Sequence, residues 1–316
     1  MNDRTVVLNA SLVNYDGKVD YTGIASEVTV YESTKEEKIL ERIDGHQIVV
    51  TKEMKVSGEI LEQFPESVKL IVEAGTGYNN LDLAMIRNRG IMLCNVPGYS
   101  SERVAHTAIM LLLNLASSMR KQIAMLEKGN HDNFHRYLMA DHVEINGKVL
   151  GIIGYGDIAK EVIKVAQAMG MKILVSTRTP REDRDGVHFT TREEVFCQSD
   201  FISLHCPLLE DTRHLVDAAA LEKMKKSAYI INTARGALID EKALIKALEA
   251  GVIAGAGLDV QEEEPLADES PLYCMEQVIV TPHIGWRGLE TRRRLVSMVG
   301  EDIAAYRSGN PINRIV

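Results

Sequence analysis

The chain has 316 residues, 45% of them apolar, which is enough for two domains with separate cores. A net charge of −9 and an isoelectric point near 5.6 argue against broad binding to nucleic acid or anionic membranes, since both call for a basic surface. The cysteines, Cys94, Cys197, Cys206 and Cys274, show neither CxxC nor Cys/His metal spacing, so they read as reduced thiols and imply no metal. The start, Met1-Asn-Asp-Arg-Thr5, lacks a basic segment followed by an apolar one. No run approaches the roughly 18 apolar residues of a membrane span, so a soluble, cytoplasmic protein is expected.

Apolar runs at 28–31, 47–50, 69–73 and 91–94 alternate with helical stretches such as 81–88, the pattern of a parallel sheet with crossover helices. Ser101 then reads as the N-cap of a long helix. Its stripe of Val104, Ala108, Leu111, Leu112, Leu115 and Met119 spills beyond one face, which suggests burial between domains or between subunits.

The most informative segment is 149–180. An apolar run at 149–153 leads into Gly154-Tyr-Gly156-Asp157-Ile158-Ala159, then a helix-spaced stretch, a second apolar run at 172–175, and Ser176-Thr177-Arg178-Thr-Pro180. This is strand, glycine turn, helix, strand, with Ile158, Val162, Val165 and Met169 at helical spacing. In a dinucleotide fingerprint the first glycine allows the tight turn, and the second lets backbone N–H groups approach a pyrophosphate. The small Ala159 allows close helix–sheet packing. The helix N-terminus offers unpaired donors to the phosphates.

Further strands are expected at 201–205, 228–231, 256–258 and 278–281, with a helix at 241–250. A last helix at 289–307 has no strand after it and could pack on either domain. Its Arg292-Arg-Arg294 run reads as a solvated face.

In doubly wound sheets, ligands bind at the carboxyl ends of the strands. Five polar clusters fall there: Thr177-Arg178, Thr233-Ala234-Arg235, Asp259, His283 and the 74–79 loop. All five could face one cleft. Taken singly each has a structural reading: Arg235 as a surface cap, Glu262-Glu-Glu264 as a solvated acidic loop, His283 as a satisfied core histidine.

Together the blocks resemble the D-isomer-specific 2-hydroxyacid dehydrogenases. The resemblance runs from Gly75-Thr-Gly-Tyr-Asn-Asn-Leu-Asp82 through Asn95-Val-Pro-Gly-Tyr99, the 149–159 fingerprint and Ile231-Asn-Thr-Ala-Arg-Gly236. It continues through Gly257-Leu-Asp-Val260 and Glu264-Pro265 to Thr281-Pro-His-Ile-Gly285. It implies an α/β fold of two Rossmann-like domains with parallel sheets. A cofactor domain, 101–288, would be inserted into a discontinuous substrate domain, 1–100 and 289–316. Arg235, Glu264 and His283 would take the catalytic positions, and the amides of Thr76 and Gly77 would complete the grip on a substrate carboxylate. Asp259 would meet the nicotinamide carboxamide. Cys206, Thr233, Ala234 and Gly285 would line the cofactor, and Trp286 resembles the His-Ile-x-Trp pattern of glycerate and hydroxypyruvate dehydrogenases, or fills the core. A homodimer through the Ser101 helix is the family expectation.

These roles suit the chemistry. Reduction of a 2-keto acid needs a hydride at the carbonyl carbon and a proton at its oxygen. Histidine can donate that proton near neutrality, and Glu264 beside it should keep it charged longer. Arg235 offers a planar fork that can hold carboxylate and carbonyl oxygens together. Two positions depart from the family. Thr177 stands where NAD-dependent members usually carry an aspartate, with Arg178 next to it, which favours NADP over NAD. Asp157 opens a helix where relatives often place a basic or neutral residue, and Lys160 is placed to offset it.

The reading is therefore an NAD(P)H-dependent reductase of small 2-keto acids, hydroxypyruvate or glyoxylate, with no nucleic-acid or membrane partner. One rival is another oxidoreductase on this framework, of the formate or phosphite type; Glu264 argues against the formate type, where the pattern gives glutamine. A rival of another class is a dinucleotide-sensing scaffold like the corepressors that share the fold. Fold analogy does not choose among substrates.

Overall fold

The computed structural model describes residues 4–316, so most of the Met1-Asn2-Asp3 opening considered above lies outside it. Two units divide the chain: a two-segment unit, Met1–Ser100 with Trp286–Val316, and a central unit, Ser101–Gly285.

In the two-segment unit, strands β1 (Thr5–Val7), β2 (Val28–Val30), β3 (Ile48–Thr51), β4 (Leu70–Glu73) and β5 (Met92–Asn95) form an all-parallel sheet of order β2-β1-β3-β4-β5. The apolar runs are continuous because both faces are covered. Neighbouring residues on one strand enter different cores, as the two-residue period requires. Val7, Val50 and Val72 point to one face, while Val6, Val49 and Ile71 meet Ile39, Ile43, Leu61 and Ile86 on the other. The second group comes from helices α1 (Ile39–Ile43), α2 (Gly58–Glu62) and α3 (Leu83–Asn88) and their flanks. β1 has no counterpart among the expected elements.

The central unit begins with α4 (Ser101–Ala116), so Ser101 is the first helical residue rather than the cap before it. The stripe stops earlier than expected. Ser118 turns left-handed at φ +45°, ending α4, and Met119 opens a separate helix α5 (Met119–Glu127) with 40% of its surface exposed. The broad apolar face is explained inside this unit: Ala108, Leu111, Leu112 and Leu115 share a core with Leu150, Ile152, Val162, Ala166 and Ile231.

After the short α6 (Asp132–His135), β6 (Val149–Ile153), α7 (Asp157–Ala168) and β7 (Lys172–Ser176) form the expected strand–helix–strand. The remaining elements are β8 (Val187–Phe189), α8 (Arg192–Gln198), β9 (Phe201–Leu204), α9 (Ala218–Lys223), β10 (Tyr229–Asn232), α10 (Glu241–Glu249), β11 (Gly255–Leu258) and β12 (Val278–Val280). The seven strands run parallel in the order β12-β11-β10-β9-β6-β7-β8. Thr191 caps α8 through a reciprocal pair with Glu194, and Asp217 and Asp240 cap α9 and α10.

The final helix, α11 (Leu289–Arg307), belongs to the two-segment unit, where Leu295, Val296, Val299 and Ile303 complete the core containing Val50 and Val72. Two expectations are corrected there. Residues 286–288 fall with this unit, not with 101–285, because the Trp286 indole is buried in the same core beside Tyr99. Nor is Arg292 solvated: its side chain is 3% exposed and forms a two-pronged ion pair with Asp16 at 2.9 and 2.8 Å. It also donates to the Val13 carbonyl at 2.7 Å and lies 4.3 Å from the Tyr15 ring centroid. That guanidinium holds the Asp16 carboxyl down at about 2. Arg293 and Arg294 are exposed. Among the described residues, no helix is long and apolar enough to cross a membrane.

Candidate active site

The strand order of the central sheet reverses between β6 and β9, which is where open α/β sheets bind ligands. A cavity of about 800 Å³ opens at these strand ends, lined by Gly154, Tyr155, Thr177, Arg178 and Cys206 among others. Gly154 has φ +96°, and a Cβ there would stand 2.6 Å from the His205 carbonyl oxygen, so glycine is required twice over. At Gly156, the N-cap of α7, an added Cβ would meet nothing within 4 Å. The helix N-terminus is thus open to a phosphate-sized group. Ala159 is fully buried, and Ile158 packs against the same core as α4.

Asp157 is exposed, and the Lys160 ammonium donates to it at 2.9 Å. Thr177 Oγ1 donates to the Thr179 carbonyl at 2.6 Å, while Arg178 is exposed along the lining. Burial pushes the Cys206 thiol up to about 11, so it lines the cavity as a neutral group. Sequence reasoning missed Arg181 and Arg192, which also line this cavity. Arg181 lies 5.4 Å from the ring centroid of Tyr155, and that ring meets Phe189 edge-on at 5.1 Å. The signal was present as the basic residues that follow β7.

Thr233, Ala234, Asp259 and Gly285 are not among the residues lining that cavity; they sit at the ends of β10, β11 and β12. Thr233 Oγ1 is buried without a hydrogen-bond partner among the described residues. A buried orphan hydroxyl and an open helix N-terminus in one unit fit a bound dinucleotide.

Of the three residues singled out for chemistry, Glu264 and His283 meet in the central unit, and the loop of Arg235 packs against the one that carries Glu264. Asn232, at the end of β10, braces the next turn: its Nδ2 donates to the Arg235 carbonyl at 2.8 Å and its Oδ1 accepts from the Ala234 N–H at 3.0 Å. Gly236 packs so tightly that a Cβ would stand 1.8 Å from the Gln261 carbonyl oxygen. The Arg235 loop is therefore pressed against the loop that carries Glu264. Glu264 Oε1 accepts from the Gln261 N–H at 3.2 Å, and Oε2 lies 2.8 Å from His283 Nδ1. Since a carboxylate only accepts, Nδ1 carries the hydrogen and Nε2 is the nitrogen left for proton transfer. His283 is half-buried at φ +49°, a conformation non-glycine residues rarely adopt and one that collects at functional sites.

Asp259 holds that conformation. Its carboxylate is 1% exposed; Oδ1 accepts from Thr281 Oγ1 at 2.6 Å and the Ile284 N–H at 2.9 Å, and Oδ2 from the Gly285 N–H at 2.8 Å. Three bonds on a carboxylate leave room for about one more donor such as a carboxamide. Glu262 is half-buried and pairs with Arg213 at 2.9 Å and His214 at 2.7 Å.

In the two-segment unit, the loop after β4 is strapped to the end of β5. Asn95 Nδ2 donates to the Thr76 carbonyl at 2.8 Å, Thr76 Oγ1 to the Val96 carbonyl at 3.2 Å, and the Val96 N–H to Gly75 at 2.9 Å. Gly77 is half-buried in this loop. Trp286 is 4% exposed, with the Lys52 ammonium 4.1 Å from its ring centroid.

A reversed parallel sheet with a glycine turn, and a histidine–carboxylate pair next to an arginine loop, define a dinucleotide-dependent oxidoreductase. The model described as the NAD binding domain of D-isomer specific 2-hydroxyacid dehydrogenases matches residues 109–285, and the chain belongs to that family. A hydroxypyruvate reductase of Blautia hydrogenotrophica is 33% identical over 98% of both chains. The crystal structure of a glyoxylate reductase from Paecilomyes thermophila superposes with a TM-score of 0.85 at 30% identity, covering 100% of this chain and 99% of that one. An acyclic imino acid reductase in complex with NADPH and D-Arg matches at a TM-score of 0.85 and 27% identity, over 99% of this chain and 100% of that one.

Proposed function

We propose that this D-2-hydroxyacid dehydrogenase reduces hydroxypyruvate or glyoxylate, with NADPH preferred over NADH. The observation that carries the reading is the 2.8 Å contact of His283 Nδ1 with Glu264, set in a turn fixed by Asp259. The nicotinamide, when bound, supplies the hydride. His283 Nε2 gives the proton to the carbonyl oxygen, an effect worth typically about 10²–10⁴-fold in rate. Glu264 orients the ring and stabilises its charged form before transfer. Arg235 grips the carboxylate and polarises the carbonyl, and the Thr76 and Gly77 amides take the remaining carboxylate oxygen.

Arg178, with Arg181 and Arg192 on the same cavity, supports a 2′-phosphate. Exposed Ile123, Leu126, Phe134, Tyr137, Leu138 and Met139 support a homodimer through the region following α4. We place the protein in the cytoplasm. The test is a spectrophotometric screen of NADPH and NADH oxidation with glyoxylate, hydroxypyruvate, pyruvate and longer 2-keto acids. Highest kcat/KM with NADPH and a two- or three-carbon acid supports the reading. A strong preference for branched or aromatic acids refutes the substrate assignment.

A further inference from the structure

Lys52 follows directly on β3, and its side chain is 3% exposed. A buried ammonium is costly unless its surroundings compensate it. Here a carboxylate and an aromatic face do so. Nζ donates to Glu53 Oε1, stands 4.1 Å from the Trp286 ring centroid, and crowds Gly75 so closely that a Cβ there would meet it at 3.2 Å.

The backbone beneath it is locked separately. Asn9 Nδ2 donates to the Lys52 carbonyl at 2.6 Å, and the Lys52 N–H donates to Asn9 Oδ1 at 3.0 Å. Glu53 turns left-handed at φ +52°, and its N–H donates to the buried Glu73 at 2.7 Å. Glu73 also accepts from Thr51 Oγ1 at 2.8 Å and Asn80 Nδ2 at 3.1 Å. Desolvation raises its pKa against these bonds. An ion pair with no other task sits at the surface, where it is cheap. This cation is held against the first residue of Gly75-Thr76-Gly77. Beside it, the Trp286 Nε1 hydrogen is buried with no hydrogen-bond acceptor among the described residues.

We propose that Lys52 is a substrate-positioning residue: its ammonium, carried on the Trp286 ring, steadies the Gly75–Gly77 loop and adds positive charge where that loop receives the substrate carboxylate. Trp286 is then a platform for the cation. The inference rests on the assignment of Thr76 and Gly77 to the carboxylate.

The experiment compares wild type, Lys52→Met, Lys52→Arg and Gly75→Ala. Lys52→Met should raise KM for the keto acid about tenfold or more while kcat and the NADPH Kd stay within about twofold. Lys52→Arg should recover part of the loss, and Gly75→Ala, which keeps the lysine but crowds its ammonium, should raise KM in the same direction. Trp286 is the only tryptophan, so its emission gives a readout independent of turnover. Oxalate added to protein loaded with oxidised NADP should change that emission, at higher concentration in Lys52→Met. An unchanged KM in Lys52→Met overturns the proposal. So does a fall in kcat and melting temperature together that Lys52→Arg does not rescue, since that marks a purely structural lysine. If the wild type turns over no 2-keto acid, the substrate reading fails by itself. The oxalate titration then still decides on Lys52: a response weakened by Lys52→Met supports it, and no response overturns it.

Discussion

Asp259 and Gly285 are joined by a 2.8 Å bond from backbone N–H to Oδ2, and a side chain at 285 would place its Cβ 2.8 Å from that same oxygen. With Thr281 and Ile284 on the other oxygen, one carboxylate fastens both ends of the turn that carries His283. Asp259→Asn sets an amide NH2 against at least one of these donors. Hydrogen bonds to charged groups are worth about 1.5–3 kcal/mol, so kcat should fall about ten- to a hundredfold. Steady-state kinetics beside a cofactor titration checks this, and an unchanged kcat would show that the turn holds without Asp259.

Glu264→Gln keeps the size of the side chain but removes its charge next to His283. The kcat of reduction should then fall about tenfold or more, because the ring has lost its charge-assisted acceptor at 2.8 Å. Keto-acid KM should change little. His283→Ala should lower kcat severely at every pH. A glutamine variant with the wild-type kcat would remove Glu264 from the proton transfer.

Arg178→Ala should weaken NADPH by about tenfold or more and leave NADH nearly unaffected, because only the former presents a phosphate for a charge-assisted bond. Equal loss for both cofactors would assign Arg178 to the shared part of the dinucleotide. No loss with either would move the phosphate contact to Arg181 or Arg192.

Asp302, on α11, is fully buried, with Oδ1 accepting from Asn313 Nδ2 at 2.8 Å and Oδ2 unpartnered among the described residues. Burial raises its carboxyl from 3.8 to about 6. Between those values the folded chain holds a proton that the unfolded chain has lost, so stability falls as pH rises through the window. A shift of this size corresponds to about 3 kcal/mol lost above the upper value. Asp302→Asn should flatten this slope and raise the melting temperature at pH 7.5 relative to wild type. Parallel curves for the two proteins from pH 4 to 7 would contradict it.

Most of the parallel sheet is legible in the sequence because strands buried on both faces leave continuous apolar runs, as at Ile48–Thr51 and Leu70–Glu73. Three-residue strands are read unevenly: Val28–Val30 and Val278–Val280 stand out as apolar runs, while Thr5–Val7 and Val187–Phe189 do not. The break after α4 depends on a serine in a conformation usually left to glycine, which composition does not announce. Arg292 reads as solvated because its partner Asp16 lies 276 positions away. At the site, Arg235, Glu264 and His283 can be read from their motifs. The parts played by Asn232, Gly236 and Asp259 arise only when β10, β11 and β12 lie in register and bring three loops together.

The two-segment unit imposes an order on synthesis. Residues 101–285 are contiguous and can close their core as soon as they leave the ribosome. The first hundred residues supply all the buried residues of only one of their two cores. Val7, Val50 and Val72 wait for Leu295, Val296, Val299 and Ile303, and β5 waits for the Ile315 N–H to reach the Leu93 carbonyl. Until translation has passed both, the nascent chain exposes half a hydrophobic core, so a ribosome stalled in the last stretch leaves a product that chaperones and proteases will recognise even though its cofactor-binding half is already folded.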